Sequence, residues 1–488
     1  MNKGKLFIEN MLIYGVGGAI SKILPIIMVP IITRLLPDTT YYGLSDLCST
    51  MLSFGSAIAV MGMYDAIFRM FFEKEKDIEY QKKVCSTGIL ITIFFSIIVF
   101  ILMILLRTQI AQFVFKNQEY TYLVVFSAIG AAITSTNTIV SAPIRMQNRR
   151  KVYLIVNTLS PCLAYMVAIP LILKGFFIVA IPIATIVADA CIIIINTLIN
   201  RSWFSVRKFD KKLIKPLLKL SVPLAPSFLI YWVFNSSDKI MISNLLDIAQ
   251  EGIYTAGAKI GHCSQIIYLA FAGGWSYFAF KTMKEKGQVK TRSIILEYLG
   301  SVSFVISAYV FALSKPLCSL VFSGDYVKGY YVAPYLFMAP LILMLFQVSA
   351  NQFTIIKKTW LITTTLFSGA LINVVLNAIL IPRLGIEGAA IASLLGYLTS
   401  AMVSIIILLR MKLIFISVRF FLSILSSLCF VLVWRFISRD HVILSVILSL
   451  SLTFFHIFLY RIEIREISGK LRNLLRSPHK VNNKQKVH

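Results

Sequence analysis

Three lysines stand where lysine is least expected. Lys22, Lys239 and Lys259 lie inside long apolar runs, together with Asp46, Asp189 and Glu297, and Asp238 adjoins Lys239. A charge at the centre of a bilayer costs about 2.5–3.5 kcal/mol or more, so one retained there faces a bundle interior or a water-filled cavity. Lysine in such a cavity attracts phosphate and other anions as a point charge. Lys22 sits near the middle of the first run, too deep for its stem to carry the ammonium to an interface. Lys259 has His262 three residues on, on the same helical face. Lys239 lies toward the outer end of its run, where pairing with Asp238 or contact with the interface is a plainer explanation. An intramembrane carboxylate can hold a coupling proton or sodium ion, or it can pair with a lysine. Asp189 is the deepest such acid; Asp46, Asp238 and Glu297 are the other candidates.

A second group marks the inner ends of the runs. Asp65 and Arg69 are four apart, the spacing of an intrahelical pair, and are candidates for an inner gate or for a plain solvated pair. Arg145 closes the fourth run at the same level as a candidate cation at a cavity mouth. Pro25 and Pro30 interrupt the first run, and Pro223 and Pro226 the seventh. Interrupted spans at matching positions of two halves point to a substrate site and to helices that bend.

Enzymatic vocabulary is thin. GxxxxGK[ST], GxSxG and HExxH are all missing from the sequence, and His262, His441, His456, His479 and His488 lack metal-ligand spacing. The seven cysteines are scattered and form no CxxC pair, so neither a disulfide framework nor a metal site is expected. We expect no enzyme and no cofactor beyond a coupling proton or sodium ion.

The elements that position these residues follow from composition. The 488 residues are 58% hydrophobic and 14% charged, against about 25% charged in soluble domains. Such a chain must have lipid as its solvent. The expected fold is all-α and polytopic, with about fourteen spans: Asn10–Leu35, Tyr42–Ala66, Val84–Leu106, Tyr120–Pro143, Val152–Leu173, Phe176–Ile199, Leu220–Leu246, Gly252–Phe278, Ile294–Leu313, Gly329–Ala350, Trp360–Ile381, Ile386–Leu409, Arg419–Ile437 and His441–Tyr460. The first run is too long for a signal-peptide core and reads as an uncleaved span.

The net charge of +27 would suggest nucleic acid in a soluble protein, but no basic polar domain exists to carry it. Loop position explains it better. With the N-terminus inside, the inner segments hold 36 of the 48 Lys and Arg, the outer segments nine, and the spans the remaining three. Basic residues collect on cytoplasmic loops, so both termini are expected in the cytoplasm.

The chain also looks duplicated. "KVYLIVNT" from Lys151 resembles "KTWLITTT" from Lys358, and "LLPDTTYYGLSDL" from Leu35 resembles "LLDIAQEGIYTAGAKI" from Leu245. The offsets, 207 and 210 residues, are nearly equal and fall at equivalent points of consecutive six-helix blocks. Six is even, so both blocks enter the membrane in one orientation, which predicts two lobes about a pseudo-twofold along the membrane normal with a cavity between them. The expected organisation is an N-terminal lobe (1–200), a cytoplasmic linker (201–219), a C-terminal lobe (220–410), two appended helices (411–460) and a basic cytoplasmic tail (461–488).

These residues resemble a known family. "NMLIYGVGGAISKILPIIMVPIITRLLPDTTYYGLSDLCSTMLSF" at the start, "MYDAIFRMFFE" from Met63 and "LIPRLGIEGAAIASLLGY" from Leu380 are similar in order and spacing to bacterial polysaccharide-unit flippases. That family belongs to the multidrug/oligosaccharidyl-lipid/polysaccharide exporter superfamily. The resemblance covers residues 1 to about 410. It implies movement of an undecaprenyl-diphosphate-linked sugar unit across the bacterial cytoplasmic (inner) membrane, for O-antigen of lipopolysaccharide, capsule or exopolysaccharide. It also implies membrane lipid, a polysaccharide polymerase and chain-length proteins as partners, and no nucleic acid. Lys22 and Lys259 match places where relatives carry cavity cations, here lysine rather than the arginine of some lipid-linked relatives, so bidentate phosphate recognition is not implied. Lys239, Arg69 and Arg145 are the further cavity candidates. A lipid II flippase and a multidrug cation extruder of the same superfamily are the alternatives within transport. A polysaccharide polymerase or ligase is the alternative outside it, though such enzymes carry a long outer loop that this chain lacks.

Overall fold

The computed structural model describes residues 23–74, 76–283, 285, 287–463 and 465. Lys22 and the first half of the first expected span lie outside the described residues. The described chain is all-helical in its regular elements, with twelve helices long and apolar enough to cross a bilayer. Of the two remaining expected spans, the first holds the shorter apolar helix α1 (Ile23–Leu35) among its described residues, and the eighth is made of two shorter helices in tandem.

The N-terminal half follows α1 with α2 (Thr39–Val60), α3 (Met63–Glu73), α4 (Ile78–Leu105), α5 (Arg107–Phe115), α6 (Thr121–Val140), α7 (Ala142–Met146), α8 (Arg150–Leu173) and α9 (Ala180–Asn200). The connection is not merely a loop. After two short 3-10 turns it forms α10 (Lys211–Ser221), an amphipathic helix that buries Leu213 and Leu217 against α3 and α4 and exposes Lys211, Lys212, Lys215 and Lys219. The C-terminal half comprises α11 (Ala225–Leu245), α12 (Ile248–Gly261), α13 (Ser264–Lys281), α14 (Gln288–Val321), α15 (Ala333–Ile355), α16 (Trp360–Leu384) and α17 (Ile386–Arg410). The last two helices are α18 (Val418–Val433) and α19 (Val442–Leu459).

Side chains sort as a lipid solvent requires. Large apolar residues such as Phe94, Leu105, Met166 and Ile194 are exposed, while Ser96, Ser127, Ser135, Asn196 and Asn200 are buried. Between helices in hydrocarbon, small and hydroxylated residues give close approach and hydrogen bonds give specificity. Ser96 bonds Ser135 at 2.8 Å, and the Asn196 and Asn200 amides donate to Asn137 Oδ1 and the Val140 carbonyl, both at 2.8 Å.

Two ends of the bundle can be told apart. One, the basic end, carries the connections at Lys74–Lys83, Arg149–Lys151 and Arg201–Lys219. The other, the far end, carries α5, the α2 and α12 N-termini and the 3-10 turn Gly324–Tyr331. Pro223 and Pro226 sit where α10 passes into α11, within the continuous apolar stretch Lys211–Leu245, and Pro25 and Pro30 fall inside α1. The repeat offset carries Pro25 and Pro30 to Phe234 and Lys239, so the proline pairs do not stand at equivalent positions.

Candidate functional site between the lobes

The repeat read from sequence is used as a contact. Asp38 and Asp247 each cap a helix, accepting from the amides of Thr40 and Gln250 at 2.7 Å. The helices they start, α2 and α12, then cross at the far end. A Cβ on Gly43 would stand 2.2 Å from the Ile248 carbonyl oxygen, and one on Gly252 would stand 2.0 Å from that of Thr39. The contact is reciprocal: the offset that takes Gly43 to Gly252 also takes Thr39 to Ile248. The pseudo-twofold therefore passes through this crossing, and only glycine lets the backbones come so close.

Just inside the crossing lies a buried cluster of charges. Lys239 Nζ on α11 pairs with Asp46 Oδ2 on α2 at 2.6 Å. The Thr255 hydroxyl on α12 is 3.0 Å from Asp46 Oδ2 and 2.8 Å from Glu251 Oε1. Glu251 is fully buried, and its Oε2 has no hydrogen-bond partner. Asp238 accepts from the Tyr254 hydroxyl, from the Lys239 amide at 2.9 Å and from Ser393 at 3.4 Å. So Lys239 pairs with Asp46 across the lobes and not with its neighbour Asp238.

Further clasps close this end. Ser243 and Asn244 of α11 donate to the carbonyls of Val114 and Phe113 on α5, at 3.0 and 2.8 Å, and Lys116 donates back to Asn244. Tyr326 donates to the Asp38 carbonyl at 3.1 Å and packs edge-on against Tyr42. Val29, Ile32, Leu36, Tyr42, Ala256, Phe322 and Tyr326 join in one buried cluster spanning both lobes.

Two cavities open below the closure. One, of about 280 Å³, lies in the C-terminal lobe and is lined by Asp238, Lys239, Tyr254, Lys259, His262, Tyr268 and Tyr397 among others. The second, of about 140 Å³, lies in the N-terminal lobe and is lined by Tyr42, Ser45, Asp46, Ser49, Tyr165 and Thr185. Lys259 lines both. It comes from the last turn of α12, just before the break at His262 that separates α12 from α13. Burial thins toward the basic end: α13 buries only Ser264, Trp275 and Ala279 among its described side chains, and the basic half of α8 buries only Val156.

The structure thus gathers Lys239, Lys259, Asp46, Asp238 and His262 into one interlobe region. Lys22 lies outside the described residues. The described lining is mixed in sign, with the two lysines set among Asp46, Asp238 and Glu251. Asp189 sits apart, inside the N-terminal lobe, accepting from Thr134 at 2.8 Å. Glu297 is also apart. It accepts from the Ser417 amide at 2.9 Å and the Ser417 hydroxyl at 2.8 Å, which fixes the start of α18. Asp65 and Arg69 are both exposed and do not pair with each other. Asp65 instead lies within electrostatic reach of Arg145, whose guanidinium stacks over Tyr153 at 5.4 Å. No group of three or more His, Cys, Asp or Glu among the described residues forms a metal-binding set.

Glu251 and Thr255 were not singled out from sequence. The available signal was the repeat itself, because Thr255 stands at the position equivalent to Asp46.

Two facing helical lobes, joined by a connecting helix and meeting over a central polar seam, define the fold of the exporter superfamily named above. Residues 7–278 match the family described as polysaccharide biosynthesis protein, and the chain belongs to it. Among solved structures, the lipid II flippase MurJ in an inward closed conformation superposes with a TM-score of 0.67 at 14% identity, over 94% of this chain and 99% of that one. A multidrug resistance MATE family transporter of the MOP superfamily, inward-facing, gives 0.65 at 14% identity over 81% and 98%. A MOP superfamily transporter from Pyrococcus furiosus, described as having a binding pocket of reversed polarity, gives 0.58 at 15% identity over 83% and 95%. None of the curated proteins compared matches the chain.

Proposed function

We propose that the protein flips an undecaprenyl-diphosphate-linked oligosaccharide repeat unit across the bacterial cytoplasmic membrane by alternating access between its lobes. The basic end faces the cytoplasm, and both termini lie there. The observation that carries this reading is Lys259, which lines cavities in both lobes beneath a far end that is closed. A substrate of this kind joins a diphosphate and a polar glycan to a long lipid tail. Its head group needs a hydrated route with cations for the diphosphate, while the tail stays in lipid. Lys22 and Lys259 act on the diphosphate as point charges. The cavities are small for a glycan head group, so the lobes separate further at the basic end to admit it. Arg69, Arg145 and Asp65 flank that entrance.

Hydrogen-bond accounting supports proton coupling at the seam. Thr255 has one hydroxyl proton and two carboxyl neighbours, Asp46 and Glu251. A proton on Glu251 completes the chain, Glu251 donating to Thr255 and Thr255 to Asp46. Asp238 and Asp189 are the further coupling candidates. A polysaccharide polymerase and chain-length proteins use the flipped product.

The test is surface glycan in a strain carrying Lys22→Ala or Lys259→Ala, with protein abundance checked in the membrane. Loss of surface glycan at unchanged abundance is expected; normal glycan in both variants overturns the cation role. The three carboxyls of the seam keep a second reading, extrusion of organic cations. It predicts drug sensitivity, with intact surface glycan, when the gene is removed.

A further inference from the structure

Away from the interlobe seam, one buried arginine pairs with no acid among the described residues. Arg292, in the first turns of α14 at the basic end, is 4% exposed. Its Nη2 donates to Gln288 Oε1 at 2.8 Å, and its Nη1 has no partner. Trp275 on α13 is 5% exposed, and its indole Nε1 likewise has no partner. Both residues line one small cavity with Thr282, Gln288, Thr291 and Glu285. Its volume, about 30 Å³, exceeds the ~10–15 Å³ that one water needs. It shares no lining residue with the interlobe cavities.

The hydroxyl and amide groups of the lining are spent on other partners. The Thr282 and Thr291 hydroxyls donate to the Phe278 and Gly287 carbonyls, at 2.9 and 3.4 Å. Gln288 Nε2 donates to the Met283 carbonyl at 2.6 Å. Glu285 is exposed on the connection and makes no ion pair with Arg292. A guanidinium stays charged at any physiological pH, and a buried charge without a counterion is costly. Two donors without partners, from two helices, thus border one small space whose single lining carboxylate, Glu285, is not paired with Arg292.

We propose that this cavity is a phosphate-group site, in which Arg292 Nη1 and Trp275 Nε1 hold two oxygens of one oxyanion at the basic end of the C-terminal lobe. The oxyanion comes from an anionic phospholipid of the adjacent leaflet or from a soluble phosphate. The site pins α13 to α14 where α13 has few other buried contacts. The proposal is independent of what the interlobe seam transports.

The test uses the full chain and two probes. Sodium pyrophosphate is added to detergent-purified protein, against sodium chloride at equal ionic strength, and melting is followed. In parallel, protein in nanodiscs of phosphatidylcholine with and without phosphatidylglycerol is examined by native mass spectrometry for retained lipid. The wild type should gain thermal stability with pyrophosphate or retain phosphatidylglycerol. The first result assigns a soluble phosphate, the second a lipid headgroup. Arg292→Met and Trp275→Phe should each weaken the responding probe on the order of tenfold, a 1.4 kcal/mol change. Glu285→Gln should leave it unchanged or tighten it. Equal responses of wild type and Arg292→Met to both probes overturn the site. So does a loss in Glu285→Gln as large as in Arg292→Met, which would make Glu285 the counterion.

Discussion

At the far end the lobes meet backbone to backbone, Gly43 under the Ile248 carbonyl and Gly252 under that of Thr39, with Asp46 and Lys239 paired just beneath. Toward the basic end they meet along one flank through fewer contacts. Trp232 donates to Ser53 at 3.1 Å and packs on Phe54, and Gly62 lies under the Ser221 carbonyl. The far end combines a desolvated ion pair, a reciprocal glycine crossing and a cross-lobe apolar cluster. The basic end has single contacts and thinly buried helices. An interface built in this way opens first at the basic end, and its far end opens only when a buried charge pair is separated or neutralised.

The largest effect should come from the charge pair. Lys239→Met keeps the stem and removes the cation, leaving Asp46 and Glu251 facing each other in a buried site. Removing one partner of a buried pair costs about 3–5 kcal/mol. Detergent-solubilised protein should melt far earlier, and thiol reagents should reach a cysteine placed at Tyr326. The double variant Lys239→Met with Asp46→Asn should recover most of the loss, because no charge is then left unpaired. A double variant as unstable as the single one would show that the pair does not hold the far end.

The two glycine contacts give the next contrast. Gly252→Ala places a methyl 2.0 Å from the Thr39 carbonyl oxygen, a backbone atom that cannot turn away. Overpacking of this kind costs about 1–3 kcal/mol, and here it acts on the closed far end, so export should fall with protein still in the membrane. Gly62→Ala meets the Ser221 carbonyl at 2.8 Å and must also hold φ of +73°. That strain is about 1–2 kcal/mol. It should lower stability without exposing a far-end cysteine. If Gly62→Ala exposes the far end as much as Gly252→Ala, the two ends are not separately built.

The spans, the repeat and most seam charges could be read from sequence because hydrocarbon penalises polarity so strongly: a lysine inside an apolar run has few reasons to be there. Lys239 and Lys259 followed from that rule, although the partner of Lys239 did not. Its adjacent Asp238 looked natural, but neighbours along a helix face different ways, and the pair formed instead with Asp46, 193 residues away in the other lobe. Glu251 escaped because it stands one turn into a helix beside a capping Asp247, where an acid looks solvated; only the glycine crossing buries it. Arg292 escaped for the same reason, as one more basic residue in a basic connection. Glu297 was singled out as an acid within an apolar run, yet its carboxyl caps α18, a role set by a helix 120 residues later. Sequence marks which charges are costly. Which element relieves the cost is decided by tertiary approach.

The smallest expected effect lies outside the seam, where Lys315 Nζ pairs with Asp440 at 2.7 Å on the far-end surface. Lys315 holds the Asp440 carboxyl below the usual aspartate range. A carboxyl lowered on folding adds stability above its unfolded pKa, and that stability is lost as pH falls through the lowered value. Both side chains are substantially exposed, so solvent screening limits the pair to about 0–1 kcal/mol. Lys315→Met should therefore shift melting slightly at pH 7 and not at all once pH is low enough to protonate Asp440 in the wild type. Melting followed against added salt in the wild type, Lys315→Met and Lys239→Met separates the two kinds of ion pair. An exposed pair weakens with added salt over a Debye length of ~8–10 Å, whereas the buried Asp46–Lys239 pair should respond to salt little. Equal salt sensitivity in the two variants would mean that water reaches the far-end seam, and that the contrast between the ends is one of degree only.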